Sequence, residues 1–359
     1  MKIALVHDHL VQDGGAEQVL KALCELYEPA PVFTIVADKK STNRFFNGKK
    51  IITSFLQNIP LGVKHYQWYL FLMPAAIESH NLMDYDLVIS SASSFAKGVI
   101  TKPSAKHVCY CYTPTRYLWH DSHNYLRELK VNRLIKRVLP LTLHKLRVWD
   151  RLAADRVDHF IASSYTVKDR INKYYGRDSS VIYPPVDIDK FYISQKPKKY
   201  FLAGGRLVPY KRFDLVVKAF SRLGIPAKIF GVGPEARHLK KIAKSNVEFL
   251  GRISDEQKAE LYADCLAYIN PQEEDFGITA IEAMASGRPV IAYNKGGATE
   301  TIIGGKTGEF FSEQIWEELA DIVLRFREDK YDPQFIRRHS EQFSTENFKR
   351  NFANFISHV

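Results

Sequence analysis

The chain has 359 residues, 45% hydrophobic and 25% charged, with a net charge of +11. That length favours two domains, and no apolar run reaches the roughly 18–20 residues a membrane-spanning helix needs. Cys24, Cys109, Cys111 and Cys265 fit neither a disulfide framework nor a zinc site, so a reducing cytoplasm is the expected compartment.

The chain opens on an apolar run, residues 2–7, which reads as a first β-strand and not as a signal peptide. Gly14-Gly15 then lead into a helix carrying Val19, Leu20, Leu23 and Leu26 at helical spacing. Strand, glycine loop and helix form the opening unit of a doubly wound sheet, and glycines there let a backbone approach a ligand. Further strands are predicted at Pro31–Val36, Asp86–Ser90, Lys106–Tyr112 and His159–Ala162, so the sheet is mostly parallel. Between Leu56 and Ile77 an aromatic-rich helical stretch carries Tyr66, Trp68, Tyr69 and Phe71, as core packing or as a surface for an acceptor or a membrane.

Residues 109–126 place Tyr112, Thr113, Arg116, Trp119, His120 and His123 in a loop at the carboxyl end of a strand, where open α/β sheets bind ligands. Residues 127–151 hold eight Lys/Arg against two acids, interleaved with leucine, isoleucine, valine and Trp149. That mixture fits a helix or helix pair lying on an anionic membrane, or equally a solvated helix over the core. Residues 1–197 hold 27 Lys+Arg against 18 Asp+Glu, whereas residues 198–359 hold 24 against 22. The basic half points to an anionic surface, and the lack of a recognised nucleic-acid module argues against nucleic acid.

After the lysine-rich linker at 196–199, a second strand, glycine loop and helix begins at Tyr200–Ala203, Gly204-Gly205 and Phe213–Leu223, now with Arg206 and Lys211 in the loop. Strands at Ala227–Phe230 and Val247–Leu250 and a helix at Glu256–Tyr262 follow, with two further helices in the tail. The last, Glu346–Val359, has Phe348, Phe352, Phe355 and Ile356 at helical spacing and must pack on something. The most informative stretch is Asn270–Ile291. It joins Glu273 and Glu274 at a strand end, Gly277 at a helix start, Glu282 eight positions after Glu274, and a strand at Val290–Ala292. A strand end, a helix start and two fixed carboxylates suit a polyhydroxy, phosphorylated ligand.

Several segments, GGRLVPYKRFDLVVKAF, GVGPE, VEFLGRISDEQ, PQEEDFGITAIEAMASGRPVIAY and GGATETI, resemble in this order the retaining glycosyltransferases of family 4. HDHLVQDGGAEQVL, CYCYTPTRYLW and SSVIYPPVD resemble a subgroup, the mannosyltransferases of O-antigen and exopolysaccharide assembly of the WbaZ type. The resemblance implies a GT-B fold, two Rossmann-like doubly wound α/β domains facing a central cleft. The expected divisions are 1–196 for the acceptor, 197–335 for the nucleotide sugar, and a helix in 336–359 packing back on the first domain.

It further implies hexosyl transfer, foremost mannose from GDP-mannose, to a saccharide or lipid-linked saccharide at the inner face of the cell membrane. No cofactor or metal is expected. Arg206 and Lys211 would hold the donor diphosphate, where negative charge grows in the transition state. Glu274 would bind the donor sugar, Phe276, Gly277 and Ile278 would offer backbone amides, and Glu282 would bind the ribose. Arg252 lies in the loop expected at the nucleobase, and Gly15 would approach the diphosphate or acceptor. Tyr112, Arg116 and His120 are acceptor-side candidates; relatives usually carry histidine at the position of Tyr112. Transfer from a UDP- or dTDP-linked sugar, and a nucleotide-sugar epimerase of similar build, are the alternatives, which product analysis separates.

Overall fold

The structure, a computed structural model, describes the whole chain except residues 13, 40–41, 43–45 and 124–131, with the backbone alone at residues 133–136. Its internal contacts divide the chain into two compact units, Met1–Tyr183 with Lys349–Val359, and Pro184–Phe348. The split precedes the lysine-rich stretch at 196–199.

The first unit is built on seven strands: β1 (Ile3–His7), β2 (Val32–Thr34), β3 (Ile51–Thr53), β4 (Leu87–Ala92), β5 (Lys106–Cys111), β6 (His159–Ala162) and β7 (Ser179–Val181). They pair in parallel in the order β3-β2-β1-β4-β5-β6-β7. Every residue of β4 is buried, as a central parallel strand covered on both faces requires. Helix α1 (Gly15–Leu26) buries Val19, Leu20 and Leu23, the stripe its sequence spacing predicts. The long helix α2 (Arg133–Asp155) contains Pro140, and α3 (Tyr165–Tyr175) follows. Ser164 caps the start of α3 by accepting from the Val167 amide at 3.1 Å, and left-handed Gly176 ends it.

At three points the structure adds to or changes the sequence expectations. Strand β3 escapes sequence reading because it is a three-residue, half-buried edge strand with no alternation to detect. The aromatic stretch is not one helix: it forms 3₁₀ turns at Phe55–Asn58 and Tyr66–Leu72 and a short helix at Met73–Glu78. The basic stretch has a single helix from Arg133, and its residues 127–131 lie outside the described ones.

The second unit carries six parallel strands: β8 (Phe201–Gly204), β9 (Ala227–Phe230), β10 (Val247–Gly251), β11 (Tyr268–Asn270), β12 (Val290–Tyr293) and β13 (Gly308–Phe311), in the order β10-β9-β8-β11-β12-β13. Its helices include α4 (Phe213–Leu223), α5 (Asp255–Asp264) and α6 (Ile278–Ala285). The strand order reverses between β1 and β4 in the first unit, and between β8 and β11 in the second. Such switch points open a crevice at the carboxyl ends of the strands. The last helix, α7 (Thr345–Ile356), crosses from one unit's residues to the other's. Its Phe352 is fully buried, with ring centroids 6.2 Å from Tyr27 and 6.4 Å from Tyr110.

Candidate functional site

At the switch point of the second unit, the loop after β8 is shaped by glycines that let backbones touch. A Cβ on Gly231 would lie 1.8 Å from the Gly205 carbonyl oxygen, and one on Gly233 would lie 2.2 Å from that of Leu207. The Leu207 amide donates to Val232 O at 2.9 Å, and the Glu235 amide to Leu207 O at 3.1 Å. So the Gly-Val-Gly turn after β9 is the floor on which residues 205–211 lie. Arg206 is exposed, its guanidinium 3.4 Å from the Tyr210 hydroxyl. Lys211 is largely covered, and its ammonium donates to Glu274 Oε1. Burial alone would lower the Lys211 pKa, but the Glu274 carboxylate beside it outweighs this and the net shift is upward.

Glu274 is held from two further sides. Gln272 Nε2 donates to its Oε1 at 2.8 Å and to Asn270 Oδ1 at 2.8 Å. The loop after β12 presses Gly296 and Gly297 against the backbone of Glu274 and Phe276, where a Cβ would approach to 2.3 and 2.4 Å. The Gly297 amide donates to Glu274 O at 2.8 Å. Gly277 has φ +99°, a left-handed turn that starts α6. The Phe276 ring is buried against Phe343, so this residue can offer a ligand its backbone and not its ring. Glu282 lies on α6 and accepts from Lys258 of α5 at 2.7 Å. Exposed Arg252 lines a separate cavity of about 290 Å³ with Ile253, Tyr200, Lys228 and Gln257. The structure therefore gathers Lys211, Glu274 and Gly277 at one strand end, with Glu282 on the helix that Gly277 starts.

The first unit fills its switch point differently. Asp8, directly after β1, accepts four backbone amides from the loop after β4: Ser93 at 2.6 Å, Ser94 at 3.0 Å, and Phe95 and Ala96 at 2.7 Å each. An internal carboxylate thus occupies the place where such loops elsewhere hold a phosphate. The Tyr112 hydroxyl donates to Ala16 O at 2.9 Å and contacts Ser91 Oγ at 2.6 Å, which ties β5 to β4 and to the start of α1. Burial pushes that phenol well above its ordinary pKa, so it stays protonated.

The acceptor-side loop is fastened by Asp150 of α2. Its carboxylate accepts from Lys97 Nζ at 2.6 Å, Thr115 Oγ1 and Trp119 Nε1 at 2.7 Å each, and Tyr175 OH at 2.8 Å. Arg116 and His120 lie on the loop segment so held. Arg116 lies 3.7 Å from Asp121, and His120 is exposed. Partial desolvation, then the charges of Arg170 and Arg116, push the His120 imidazole down to about 3, so it is neutral at pH 7.

Asp8, Glu17, Asp150, Lys258 and Gln272 escape sequence reasoning. Their burial and pairing depend on distant segments: Asp8, Glu17 and Gln272 lie within segments that carry the resemblance, but the order of residues does not mark their partners. Asp-x-Asp triplets, a pattern that can hold a magnesium ion, occur twice, at Asp84–Asp86 and Asp187–Asp189. Asp86 is bound by Lys102 and the Lys2 amide, and Asp187 pairs with Lys190 at 3.1 Å. Among the described residues no group of three or more His, Cys, Asp or Glu could hold a metal ion.

Residues 13–190 match the family described as Glycosyltransferase Family 4, and residues 187–347 match Glycosyl transferases group 1. The chain carries the domains of a GT-B type glycosyltransferase. It is 35% identical over 197 residues to the O-antigen chain mannosyltransferase RfbU of Salmonella typhimurium, covering 49% of this chain and 56% of that one. It is 25% identical over 309 residues to the alpha-1,3/1,6-mannosyltransferase ALG2 of Dictyostelium discoideum, covering 70% of each. An uncharacterised glycosyltransferase of Methanocaldococcus jannaschii is 26% identical over 205 residues, covering 56% and 58%. Apart from ALG2, the chain thus spans little more than half the length of these curated relatives. Among solved structures, HepE of Anabaena in complex with UDP superposes with a TM-score of 0.74 at 19% identity, covering all of both chains. Sucrose-phosphate synthase of Thermosynechococcus elongatus superposes at 0.71 and 16% identity, covering 100% and 99%. These likenesses are of fold.

Proposed function

We propose that this chain is a retaining glycosyltransferase that moves a hexosyl group, foremost mannose from GDP-mannose, onto a saccharide or lipid-linked saccharide of the O-antigen or exopolysaccharide kind. The observation that carries the reading is the Lys211–Glu274 pair beside exposed Arg206 at the β8/β11 switch point. Arg206 and Lys211 neutralise the nucleoside diphosphate as it leaves, without a metal. Glu274, steadied by Gln272, receives hydroxyls of the donor sugar, and its hold on Lys211 loosens when the diphosphate arrives. Backbone at Phe276, Gly277 and Ile278 meets the sugar and phosphates, Glu282 takes the ribose diol, and Arg252 lies toward the nucleobase. In the reaction the bond from the anomeric carbon to the diphosphate oxygen breaks. The acceptor oxygen bonds to that carbon on the same face, and its proton passes to the leaving phosphate oxygen.

Mannose is favoured because the relatives include the O-antigen and alpha-1,3/1,6-mannosyltransferases and a GDP-mannose-dependent mannosyltransferase of Mycobacterium tuberculosis. A UDP-linked donor is the second reading, since the superposable HepE holds UDP. Turnover of GDP-mannose, UDP-glucose, UDP-N-acetylglucosamine and dTDP-rhamnose by the purified chain decides between them. Release of free sugar and nucleotide from none of the four would remove the reading.

The acceptor side falls to the first unit, with Gly15 at the start of α1, Tyr112 beneath it, and Arg116 and His120 on the held loop. Contact with the inner face of an anionic membrane through the 127–151 region belongs to the same proposal. On α2, Val138, Leu141, Val148 and Leu152 are exposed at helical spacing, with Arg137 and Lys145 exposed among them. Arg147 turns inward instead, donating to Leu118 O at 2.6 Å. No helix among the described residues is long and apolar enough to cross a membrane. Reversing the charges of Arg137 and Lys145 should lower flotation with phosphatidylglycerol vesicles severalfold, about 1 kcal/mol per cation being at stake. Unchanged flotation would dismiss the membrane contact.

A further inference from the structure

The aromatic stretch after β3 is a surface that the proposed chemistry leaves unused. In a 3₁₀ helix, side chains three residues apart stand in line. Over Tyr66–Leu72 that period packs Tyr66, Tyr69 and Leu72 against the core of the first unit and sets Trp68 and Phe71 outside, 64% and 62% exposed. The His65 ring stacks on Trp68 with centroids 4.3 Å apart, so the outer row begins one turn earlier. Large rings left in water along one line cost the chain free energy unless something covers them.

Leu61 is a second, independent sign. It is 53% exposed and has φ +59°, a left-handed conformation in which a leucine is strained and a glycine is not. Exposed in this way, it gains nothing from the core to offset the strain, so its side chain answers to something outside the folded chain. The segment is braced. A Cβ on Gly62 would lie 2.1 Å from Leu56 O, and the Tyr69 hydroxyl donates to Pro60 O at 2.7 Å. The His65 amide donates to Leu61 O at 2.8 Å, and the Trp68 amide to His65 O at 2.9 Å.

Charge says what the cover is. From Lys39 to Ile77 the sequence has six Lys/Arg and no Asp or Glu, in a chain with 40 acids among 359 residues. Lys39, Lys50 and Lys64 are exposed, while Lys49 pairs with Glu28 at 2.8 Å. A saccharide surface would want carboxylates to take sugar hydroxyls, and this stretch has none. An anionic bilayer wants what is present: lysine at the headgroups, tryptophan at the interface, and leucine and phenylalanine below it. The segment also starts at the carboxyl end of β3, and the Tyr66 ring lies 4.7 Å from that of His9, just after β1. It borders the strand ends that the proposed function gives to the acceptor.

We infer that Leu61, Trp68 and Phe71 insert into an anionic lipid surface, with Lys64 at the headgroups, and so bring a lipid-borne acceptor to the strand ends of the first unit. This rests on the proposed function for the acceptor alone. The lipid contact itself uses residues distinct from those of α2.

Flotation of the full chain with vesicles of phosphatidylcholine and phosphatidylglycerol tests it, together with quenching of tryptophan emission by brominated lipid in the same vesicles. The wild type should float and be quenched. Trp68→Ser combined with Phe71→Ser should lower the partition coefficient at least about 10-fold, the scale of returning two partly covered rings to water. Trp68→Phe should float nearly as the wild type yet lose most of the quenching, because Trp119, Trp149 and Trp316 lie outside the segment. Leu61→Gly should lower flotation severalfold with an unfolding midpoint no lower than the wild type's, since glycine accepts this φ freely. Wild-type flotation in a folded double variant, or full quenching in Trp68→Phe, would overturn the insertion. A wild-type dimer that the double variant dissociates in analytical ultracentrifugation would give the face to a second copy instead. Flotation that falls on reversing Arg137 and Lys145 but not in the double variant would sink this inference and keep the α2 contact. The opposite result would sink the α2 contact alone. Insertion with no nucleotide sugar turned over would sink the transferase reading and leave the lipid contact standing.

Discussion

The two units repeat one plan, with the same order of strand connection and a strand, glycine loop and helix at each switch point, yet they spend their charges in opposite ways. In the first, Asp8 and Asp150 are 2% and 1% exposed and are saturated by the protein's own donors. In the second, Lys211 and Glu274 pair while 15% and 16% of their side chains remain exposed, and Arg206 beside them faces solvent. A carboxylate satisfied by backbone amides and buried donors stiffens a loop and cannot be exchanged for a ligand. A half-covered ion pair can open when a competing anion arrives. The comparison teaches that a shared fold does not make two like crevices: in one the acid after the first strand is satisfied from within, in the other the ion pair is left with exchangeable partners.

The sharpest way to break this contrast is at Asp150. Asp150→Ala leaves Lys97, 1% exposed, without its counter-charge and should cost about 3–5 kcal/mol in stability by denaturant unfolding. A loss under about 1 kcal/mol would mean the buried acids of the first unit are not structural.

Next is the response of the same unit to pH. Burial pushes His107 down to about 4, with the nearby Asp158 opposing this only in part. Between about 4 and the ordinary value near 6.5, the unfolded chain takes up a proton that the folded chain refuses. Stability should therefore be level above pH 6.5 and fall as pH drops toward 4, by about 3 kcal/mol from this group. His107→Gln should flatten that part of the curve, and a slope unaltered in the variant would exclude His107 as its source.

The third test addresses the open crevice. Lys211→Ala should lower donor turnover at least about 100-fold, roughly 2.7 kcal/mol, the scale of removing one group that stabilises developing charge. Its unfolding free energy should shift by less than that of Asp150→Ala, because this pair keeps 15% and 16% of its side chains exposed and water can reach the carboxylate left behind. Near-normal turnover in a folded variant would place the diphosphate elsewhere. A large loss of stability with turnover retained would erase the contrast between the units.

Much of this molecule was legible in the sequence because its signals are local. Runs such as Ala227–Phe230 and His159–Ala162 became strands with the boundaries their apolar content predicts, and Phe213–Leu223 became the predicted helix. Strand β13, Gly308–Phe311, gave no such signal, since it is four residues long and starts on a glycine. That glycine is required by contact: a Cβ there would lie 2.0 Å from the Val290 carbonyl oxygen of the neighbouring strand.

By itself the sequence determined two doubly wound units and the residue types of the candidate donor site: two cations in a glycine loop, and two carboxylates flanking a helix start. Periodicity and glycine placement act over a few residues, so they can be read from order alone. Only the tertiary structure decided which charged groups are available to a ligand. It turned Arg147 inward, put Tyr112 to work holding Ala16, satisfied Asp8 with the loop after β4 and left Glu17 Oε2 without a donor among the described residues. Those outcomes depend on where segments such as 8 and 93–96, or 97 and 150, meet in space, and pairing between distant residues leaves no periodic trace along the chain.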